Sequence, residues 1–155
     1  MGEPMTKSLA LGLYLAWSRR AARFAERKLN ERLEQGKEDA ARLDERRGIA
    51  SVARPDGPLI WFHAASVGES LALLELIRRL LDEQDDLHVL MTTGTVTSAS
   101  VMADRLPERA IHQYVPLDAH GFVTRFLDHW RPDLAIWTES ELWPCLVSET
   151  HARGQ

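Results

Sequence analysis

The chain has 155 residues, of which 45% are hydrophobic, 27% charged and 7% aromatic. This length and composition suit one compact domain and exclude general disorder and fibrous repeats. The formal net charge is −4, from 19 basic and 23 acidic side chains, so we expect no nucleic-acid partner. Cys145 is the single cysteine, which excludes an internal disulfide and indicates a reducing compartment.

The longest apolar stretch is Leu9-Ala-Leu-Gly-Leu-Tyr-Leu-Ala-Trp17, which is about half of the roughly 20 residues that a transmembrane helix needs. Arg19 and Arg20 follow it, whereas a secretory signal places its positive charge before the apolar core. We therefore expect no cleaved signal and assign residues 1–35 to an N-terminal membrane-surface helix, with Tyr14 and Trp17 at the headgroup level. The alternative is an amphipathic helix that docks on a partner or on another domain.

Residues 36–58 are predicted to be a helical connector and a linker. The segment from Ser18 to Arg47 is rich in Ala, Arg, Glu and Leu, which predicts a helix or a helix broken at Gly36. The following residues, Gly48 to Pro58, contain two prolines and an Asp-Gly pair, which is typical of a linker.

From residue 59 onward, short apolar runs alternate with amphipathic segments. Strands are predicted at Leu59–His63, Leu87–Met91, Ile111–Val115 and Leu134–Trp137. Helices are predicted at Glu69–Leu81, about Thr97–Leu106, Phe122–Trp130 and from about Leu142 to a glycine cap at Gly154. This alternation indicates an α/β fold over residues 59–155, a Rossmann-like parallel sheet of order 3-2-1-4. Because a strand should come next, we expect the chain to be truncated after a half-sheet.

Ligands of open parallel sheets bind beyond the carboxyl ends of the strands. Polar residues follow each predicted strand at these ends: Ser66-Val-Gly68-Glu69, Thr92-Thr93-Gly94-Thr95, Asp118 and Glu139-Ser-Glu141. The first strand of such a sheet is central, so its loop is the first candidate for a site.

The loop after the first strand has two interpretations. Gly68 would permit a tight strand-to-helix turn, and the helix start would stabilise an anion there. Glu69 would then be a general base that faces the crevice. However, Ser66 and Glu69 also have the Ser-x-x-Glu spacing of a capping box, which by itself explains both side chains.

The other strand-end loops also have two interpretations each. Thr92, Thr93, Gly94 and Thr95 offer hydroxyls at a helix start, or they simply cap that helix; the segment lacks the lysine and spacing of a P-loop. Glu139 and Glu141 lie between Trp137 and Trp143, as acids that bind sugar hydroxyls beside aromatic faces do, or they cap the last helix.

His63 ends a buried strand, and a hydrogen-bonded core histidine is a more ordinary interpretation for it than a catalyst. The six histidines show no metal-ligand spacing, so we expect no metal or other cofactor.

Four motifs in this order and spacing carry a resemblance to a known family. They are His63-Ala-Ala-Ser-Val-Gly-Glu69, Thr92-Thr-Gly-Thr-Val-Thr97, Tyr114-Val-Pro-Leu-Asp118 and Glu139-Ser-Glu-Leu-Trp-Pro144. Together they resemble the amino-terminal half of the 3-deoxy-D-manno-octulosonic acid (Kdo) transferases of lipopolysaccharide synthesis. Gly36-Lys-Glu-Asp-Ala40 and Arg47-Gly48 resemble the stretch that follows the N-terminal membrane helix of that family.

The resemblance implies a GT-B glycosyltransferase with an inverting, metal-independent mechanism at the cytoplasmic face of the bacterial inner membrane. Its amino-terminal domain would receive a lipid A precursor, and its carboxyl-terminal domain would hold CMP-Kdo. Glu69 would be the general base, and Glu139 and Glu141 would lie at the site. Ser66, Gly68 and residues 92–95 are the further candidates for substrate binding.

Two departures from the family pattern keep alternatives open. Cys145 stands where the family usually has Asn after Trp-Pro, and the donor domain is missing. We therefore expect the isolated chain to be inactive. A non-catalytic module that binds a lipid or a partner is one alternative, and an unrelated Rossmann-like enzyme with a small-molecule phosphate site is another.

Overall fold

The computed structural model of the protein describes residues 8–138 and 142–155, which form an α/β structure around one parallel sheet. The strands are β1 (Leu59–His63), β2 (His88–Thr93), β3 (Ala110–Tyr114) and β4 (Leu134–Trp137). Their order is β3-β2-β1-β4, and all three pairings are parallel. The predicted α/β class with a Rossmann-like parallel sheet, and its strand order, are confirmed.

A helix follows each strand, as the sequence pattern predicts. The helices are α1 (Leu9–Ser18), α2 (Ala22–Glu34), a 3₁₀ helix (Ala40–Arg47), α3 (Val67–Glu83), α4 (Val96–Arg105), α5 (His120–Trp130) and α6 (Pro144–Ala152). Gly154, with φ of 75°, ends α6 as the predicted glycine cap. Within the described part of the chain, no helix combines the length and the apolar character that crossing a membrane requires.

Helices cover both faces of the sheet, so the side chains that a strand points alternately to the two faces pack into two hydrophobic clusters. On one face, Trp61 packs with Phe126 and Trp130 of α5 and with Leu146 of α6. On the other face, Phe62 packs with α3 and α4, in a cluster that includes Ile77 and Met102. The crevice at the carboxyl ends of the strands lies between these two layers.

The N-terminal region differs from the single helix predicted for residues 1–35. Two helices form, α1 and α2, and they are separated by a turn at residues 19–21. Gly36, with φ of 69°, lies beyond the end of α2, so the predicted break there is confirmed. Residues 40–47 form a 3₁₀ helix with a kink at Arg42, and the side chains of Arg42 and Glu45 bond to the backbone of β3.

The connector packs on the edge of the sheet beside β3. Glu45 accepts a hydrogen bond from the Tyr114 amide at 2.9 Å, and the Arg46 carbonyl accepts one from Leu117 at 2.9 Å. Gly48 then allows the backbone to pass α5: its φ is 78°, and a Cβ atom there would lie 2.0 Å from the Phe122 carbonyl oxygen. Residues 40–48 are therefore part of the packed α/β unit.

Candidate active site

The parallel register brings the four strand ends to one edge. His63 pairs with Thr92 on one side and with Trp137 on the other, and Thr93 pairs with Tyr114. The loops after these residues therefore meet, as a parallel sheet requires.

Ser66 and Glu69 form the capping box that their spacing predicts. Ser66 Oγ accepts from the Glu69 amide at 3.2 Å, and Glu69 Oε2 accepts from the amides of Ala65 and Ser66 at 3.0 and 3.4 Å. All hydrogen bonds from described residues to this carboxylate go to Oε2. Oε1 can therefore accept a further hydrogen bond. The capping geometry and the role of a general base are thus compatible, and the latter stays a prediction.

Gly68 does not make a tight turn, so this interpretation of its role was wrong. It lies in the first turn of α3, and an added Cβ atom would approach nothing closer than Ser66 Oγ at 4.0 Å. The turn into the helix is made by Ser66 in an extended conformation, as is usual at an N-cap.

The two threonines at the end of β2 are buried and bonded inside the domain. Thr92 Oγ1 accepts from Trp61 Nε1 at 2.8 Å and lies 2.9 Å from His63 Nδ1, and Thr93 Oγ1 lies 2.8 Å from His112 Nε2. These hydroxyls fix the strand ends. Direct contact of Thr92 or Thr93 with a substrate stays untested.

Gly94 and Thr95 lie at the surface of the crevice. Thr95 is the N-cap of α4, where its Oγ1 accepts from the Ser98 amide at 3.2 Å and donates to Ser98 Oγ at 2.8 Å. The N-capping interpretation is confirmed for Thr95, which is also exposed toward the crevice.

His63 is a buried, hydrogen-bonded side chain, 2% exposed, as its position in the strand predicts. The pKa of His63 is lowered from 6.5 to about 4, mainly by burial and also by the positive charge of Arg46. A neutral imidazole in this position supports the strand end through Thr92.

A cavity of about 460 Å³ opens at this edge of the sheet. One wall consists of the strand-end loops, with His63, Ala65, Gly94, Thr95, Asp118 and Trp143. The opposite wall consists of α1, α2 and the 3₁₀ helix, with Tyr14, Trp17, Phe24, Lys28, Arg32 and Arg46. Ala65, which lines this cavity, donates from its amide to the Glu69 carboxylate.

The wall made by the N-terminal helices is the part of the site that sequence patterns missed. Asp118, which follows β3, joins this wall to the sheet. Its carboxylate accepts from Tyr14 Oη at 2.7 Å and from the amides of Cys145 and Leu146 at 3.0 and 2.8 Å. At position 145 the bond to Asp118 comes from the backbone amide. Any residue there could make it, so a cysteine at this position is compatible with the start of α6.

Glu139 and Glu141 lie outside the described residues. The flanking positions are described: Thr138 donates from its amide and its hydroxyl to the His63 carbonyl, each at 3.1 Å, and Trp143 lines the cavity. Within residues 8–138 and 142–155, no three His, Cys, Asp or Glu side chains gather where they could hold a metal ion.

Comparison with known proteins identifies relatives of this chain. The family model described as "3-Deoxy-D-manno-octulosonic-acid transferase (kdotransferase)" matches residues 41–155. The chain is 45% identical over 113 residues to a probable mitochondrial 3-deoxy-D-manno-octulosonic acid transferase of Arabidopsis thaliana, covering 73% of this chain and 25% of that protein.

Bacterial relatives give the same result. A 3-deoxy-D-manno-octulosonic acid transferase of Rickettsia felis is 47% identical over 100 residues, covering 64% of this chain and 21% of that protein. One of Haemophilus influenzae is 37% identical over 116 residues, covering 73% and 27%. The chain thus spans about a quarter of the length of these curated relatives.

Proposed function

Because this chain belongs to the Kdo transferase family as its amino-terminal domain, we propose that it is the acceptor-binding half of a GT-B glycosyltransferase. In this proposal the enzyme transfers Kdo from CMP-Kdo to a lipid A precursor, at the cytoplasmic face of the bacterial inner membrane. The donor would be held by a second domain. The relatives are long enough to contain one, since this chain covers only 25% and 27% of two of them.

The observation that carries the proposal is the placement of Glu69. Its Oε2 is held by the amides of Ala65 and Ser66, and Ala65 lines the cavity at the carboxyl edge of the sheet. A carboxylate oriented by two donors on one oxygen can use the other oxygen as a base.

The proposed reaction uses Glu69 as the base. As the acceptor hydroxyl oxygen attacks the anomeric carbon of Kdo, its proton moves to Glu69 Oε1. The bond between that carbon and the CMP phosphate oxygen breaks on the opposite side, which inverts the configuration. CMP leaves as a phosphate anion and needs no proton, so a separate general acid is not required. Glu139 and Glu141 are proposed to bind sugar hydroxyls of the acceptor.

The exposed side of α1 supports the proposed place at a membrane surface. Leu9, Leu13 and Trp17 are 87%, 72% and 48% exposed, and Phe24 of α2, 50% exposed, lies against Trp17 with ring centroids 5.8 Å apart. Trp17 and Phe24 also line the cavity. A lipid could therefore pass from a bilayer along one continuous apolar surface toward Glu69.

Vesicle flotation tests the membrane proposal. Leu13→Ser should shift the chain from the floating fraction to the soluble fraction because it removes an exposed apolar contact from α1. Leu76→Ser removes a similar side chain, 45% exposed on α3, and should leave flotation unchanged. Equal flotation of the Leu13→Ser variant and the parent would contradict the assignment of α1 to the membrane.

The transferase proposal is tested by a chimeric protein. The chain replaces the corresponding segment of the Haemophilus influenzae relative, and CMP release is followed with CMP-Kdo and lipid A precursor. We expect acceptor-dependent CMP release from the chimera and none from the isolated chain, because catalysis needs both substrates aligned by the two domains. Release by the isolated chain would place the donor site within these 155 residues and contradict the half-enzyme proposal. A folded but inactive chimera would favour the non-catalytic alternative.

A further inference from the structure

The wall of the cavity opposite the strand ends has two chemically different parts. Toward α1 it is aromatic, with Tyr14, Trp17 and Phe24. Toward the connector it is basic, with Lys28, Arg32 and Arg46. These three basic side chains line one cavity, although the chain as a whole carries a net charge of −4.

A buried carboxylate holds the two arginines side by side. Arg32 Nε donates to Glu38 Oε1 at 2.6 Å, and Arg46 Nε lies 3.3 Å from Glu38 Oε2. The Glu38 side chain is 1% exposed and the Arg46 side chain 7% exposed. Ion pairs shielded from water in this way have a fixed geometry, so the guanidinium groups are oriented before any ligand arrives.

The charge of this cluster is only partly balanced. Two arginines share Glu38, and Lys28 makes only a loose pair with Glu31, with 3.9 Å between Nζ and Oε2. The terminal nitrogens of Arg32 donate to none of the residues that the structure describes. Burial lowers the pKa of Arg46, and the neighbouring Arg32 adds to this effect, so an additional anion would stabilise the cluster.

Asp118, the carboxylate that lines the cavity, does not neutralise this charge. Three donors already occupy it: the Tyr14 hydroxyl and the amides of Cys145 and Leu146. On the basic wall Arg46 Nη1 donates to the Val115 carbonyl. The donors that the described residues leave for an anion from outside are therefore mainly the Lys28 ammonium group and the terminal nitrogens of Arg32.

We propose that Lys28, Arg32 and Arg46 form a subsite for a phosphate monoester on the headgroup of the acceptor lipid, with its acyl chain along Trp17 and Phe24. A monoester offers three acceptor oxygens and a charge of about −1.5 to −2 at pH 7, which a fork of guanidinium groups and an ammonium group match. This inference rests on the proposed acceptor function and assigns the residues that would select a phosphorylated lipid.

The aromatic part of the wall favours a phosphorylated lipid over free phosphate as the ligand. Trp17 and Phe24 continue onto the exposed apolar side of α1, so a ligand with one anionic and one apolar end can contact both parts of the cavity at once. Free phosphate would contact only the basic part and would bind correspondingly weakly.

Binding of the intact chain to vesicles tests the subsite. One set of phosphatidylcholine vesicles contains phosphatidic acid, whose headgroup is a phosphate monoester. The other contains phosphatidylglycerol, a phosphodiester, at matched surface charge. We expect Arg32→Gln to weaken binding to the phosphatidic acid vesicles by about tenfold, the effect of losing one charge-assisted contact, and to leave binding to phosphatidylglycerol unchanged.

Two further variants make the test independent of folding. Lys28→Gln changes a residue with a 57% exposed side chain and should give the same selective loss with an unchanged melting temperature. Arg23→Gln removes an exposed positive charge from the same helix, away from the cavity, and should leave the preference for phosphatidic acid intact.

The possible outcomes separate the sources of the phosphate. Loss of binding to both vesicle types, or equal loss in the Arg23→Gln variant, would show general membrane attraction and overturn the subsite. Competition by inorganic phosphate at the affinity of the vesicles would indicate a free-phosphate site and overturn the lipid assignment. Since none of these measurements involves sugar transfer, failure of the subsite leaves the transferase proposal standing, and inactivity of the chimera leaves the subsite standing.

Discussion

Tyr14 Oη donates to Asp118 Oδ2 at 2.7 Å, and this bond joins residues 104 positions apart in the sequence. The same Oδ2 accepts from the Cys145 amide, and Oδ1 accepts from the Leu146 amide. Asp118 therefore caps α6 and anchors α1 at once. Burial raises the pKa of Tyr14, and the hydrogen bond to Asp118 raises it further, so the phenol remains protonated and remains the donor.

The first prediction concerns this anchor. Tyr14→Phe should lower the free energy of unfolding by about 1 to 2 kcal/mol, because a hydrogen bond to a charged group is lost. α1 should also become more accessible to protease. Tyr114→Phe is the matched control, since the Tyr114 hydroxyl makes no hydrogen bond to a described residue. Equal losses in the two variants, measured by urea unfolding, would show that Tyr14 contributes through packing alone.

The sequence predicted the α/β unit well because its signals are local. Strands and helices follow from the alternation of apolar residues, and the capping box of Ser66 and Glu69 follows from a spacing of three residues. The threonines were harder to place. Thr92 and Thr93 point to opposite faces of the sheet, and both are buried because helices cover both faces.

The N-terminal wall of the cavity could not be predicted from spacing. Tyr14, Arg46 and Asp118 meet around one cavity, but nothing in their neighbouring residues specifies the partner across the chain. For Gly68 the local pattern was misleading. A glycine at a strand-to-helix junction suggests a tight turn, whereas the backbone there is an ordinary first helical turn.

The second prediction concerns the passage of the connector over α5. Gly48→Ala should destabilise the protein by at least about 3 kcal/mol, because the new methyl group would collide with backbone atoms that cannot rotate away. The added Cβ would lie 2.0 Å from the Phe122 carbonyl oxygen. Thermal or urea unfolding measures the loss.

Gly36→Ala separates the collision from the backbone strain. Gly36 has a similar φ of 69° but open space around its Cβ position, so only the left-handed conformation is penalised, at about 1 kcal/mol. If the two variants are equally destabilised, the close approach of Gly48 to α5 makes no contribution.

The third prediction is a pH dependence that arises from His63. Its pKa is lowered from 6.5 to about 4 in the folded protein, mainly by burial. Between these values the unfolded chain binds more protons than the folded chain, so stability falls as the pH drops from about 6.5 toward 4. The contribution of His63 to this loss is about 3 kcal/mol at 1.36 kcal/mol for each pH unit, and the loss is measured by urea unfolding at a series of pH values.

His63→Gln should reduce this slope to about half, since one of two buried histidines no longer titrates. His112, whose pKa burial lowers to about 3, should keep the other half in the variant. His151→Gln removes an exposed histidine and should retain the full slope. An identical slope in the His63→Gln variant and the parent would assign the acid sensitivity to other groups.

The last prediction separates catalysis by Glu69 from its capping role. In the chimeric transferase, Glu69→Gln should lower kcat by about 10² to 10⁴, the usual effect of removing a general base. The amide oxygen of Gln can still accept from the Ala65 and Ser66 amides, so the start of α3 should survive with a loss of only a few tenths of a kcal/mol. Ser66→Ala does the reverse: it removes the side-chain acceptor of the Glu69 amide, costs about 1 kcal/mol of stability and leaves a carboxylate at the cavity. We therefore expect Glu69→Gln to be stable and inactive, and Ser66→Ala to be less stable with kcat within a few-fold of the parent. If both variants lose kcat in proportion to their loss of stability, Glu69 acts only through the helix start, and the proton of the acceptor hydroxyl must be taken by another group.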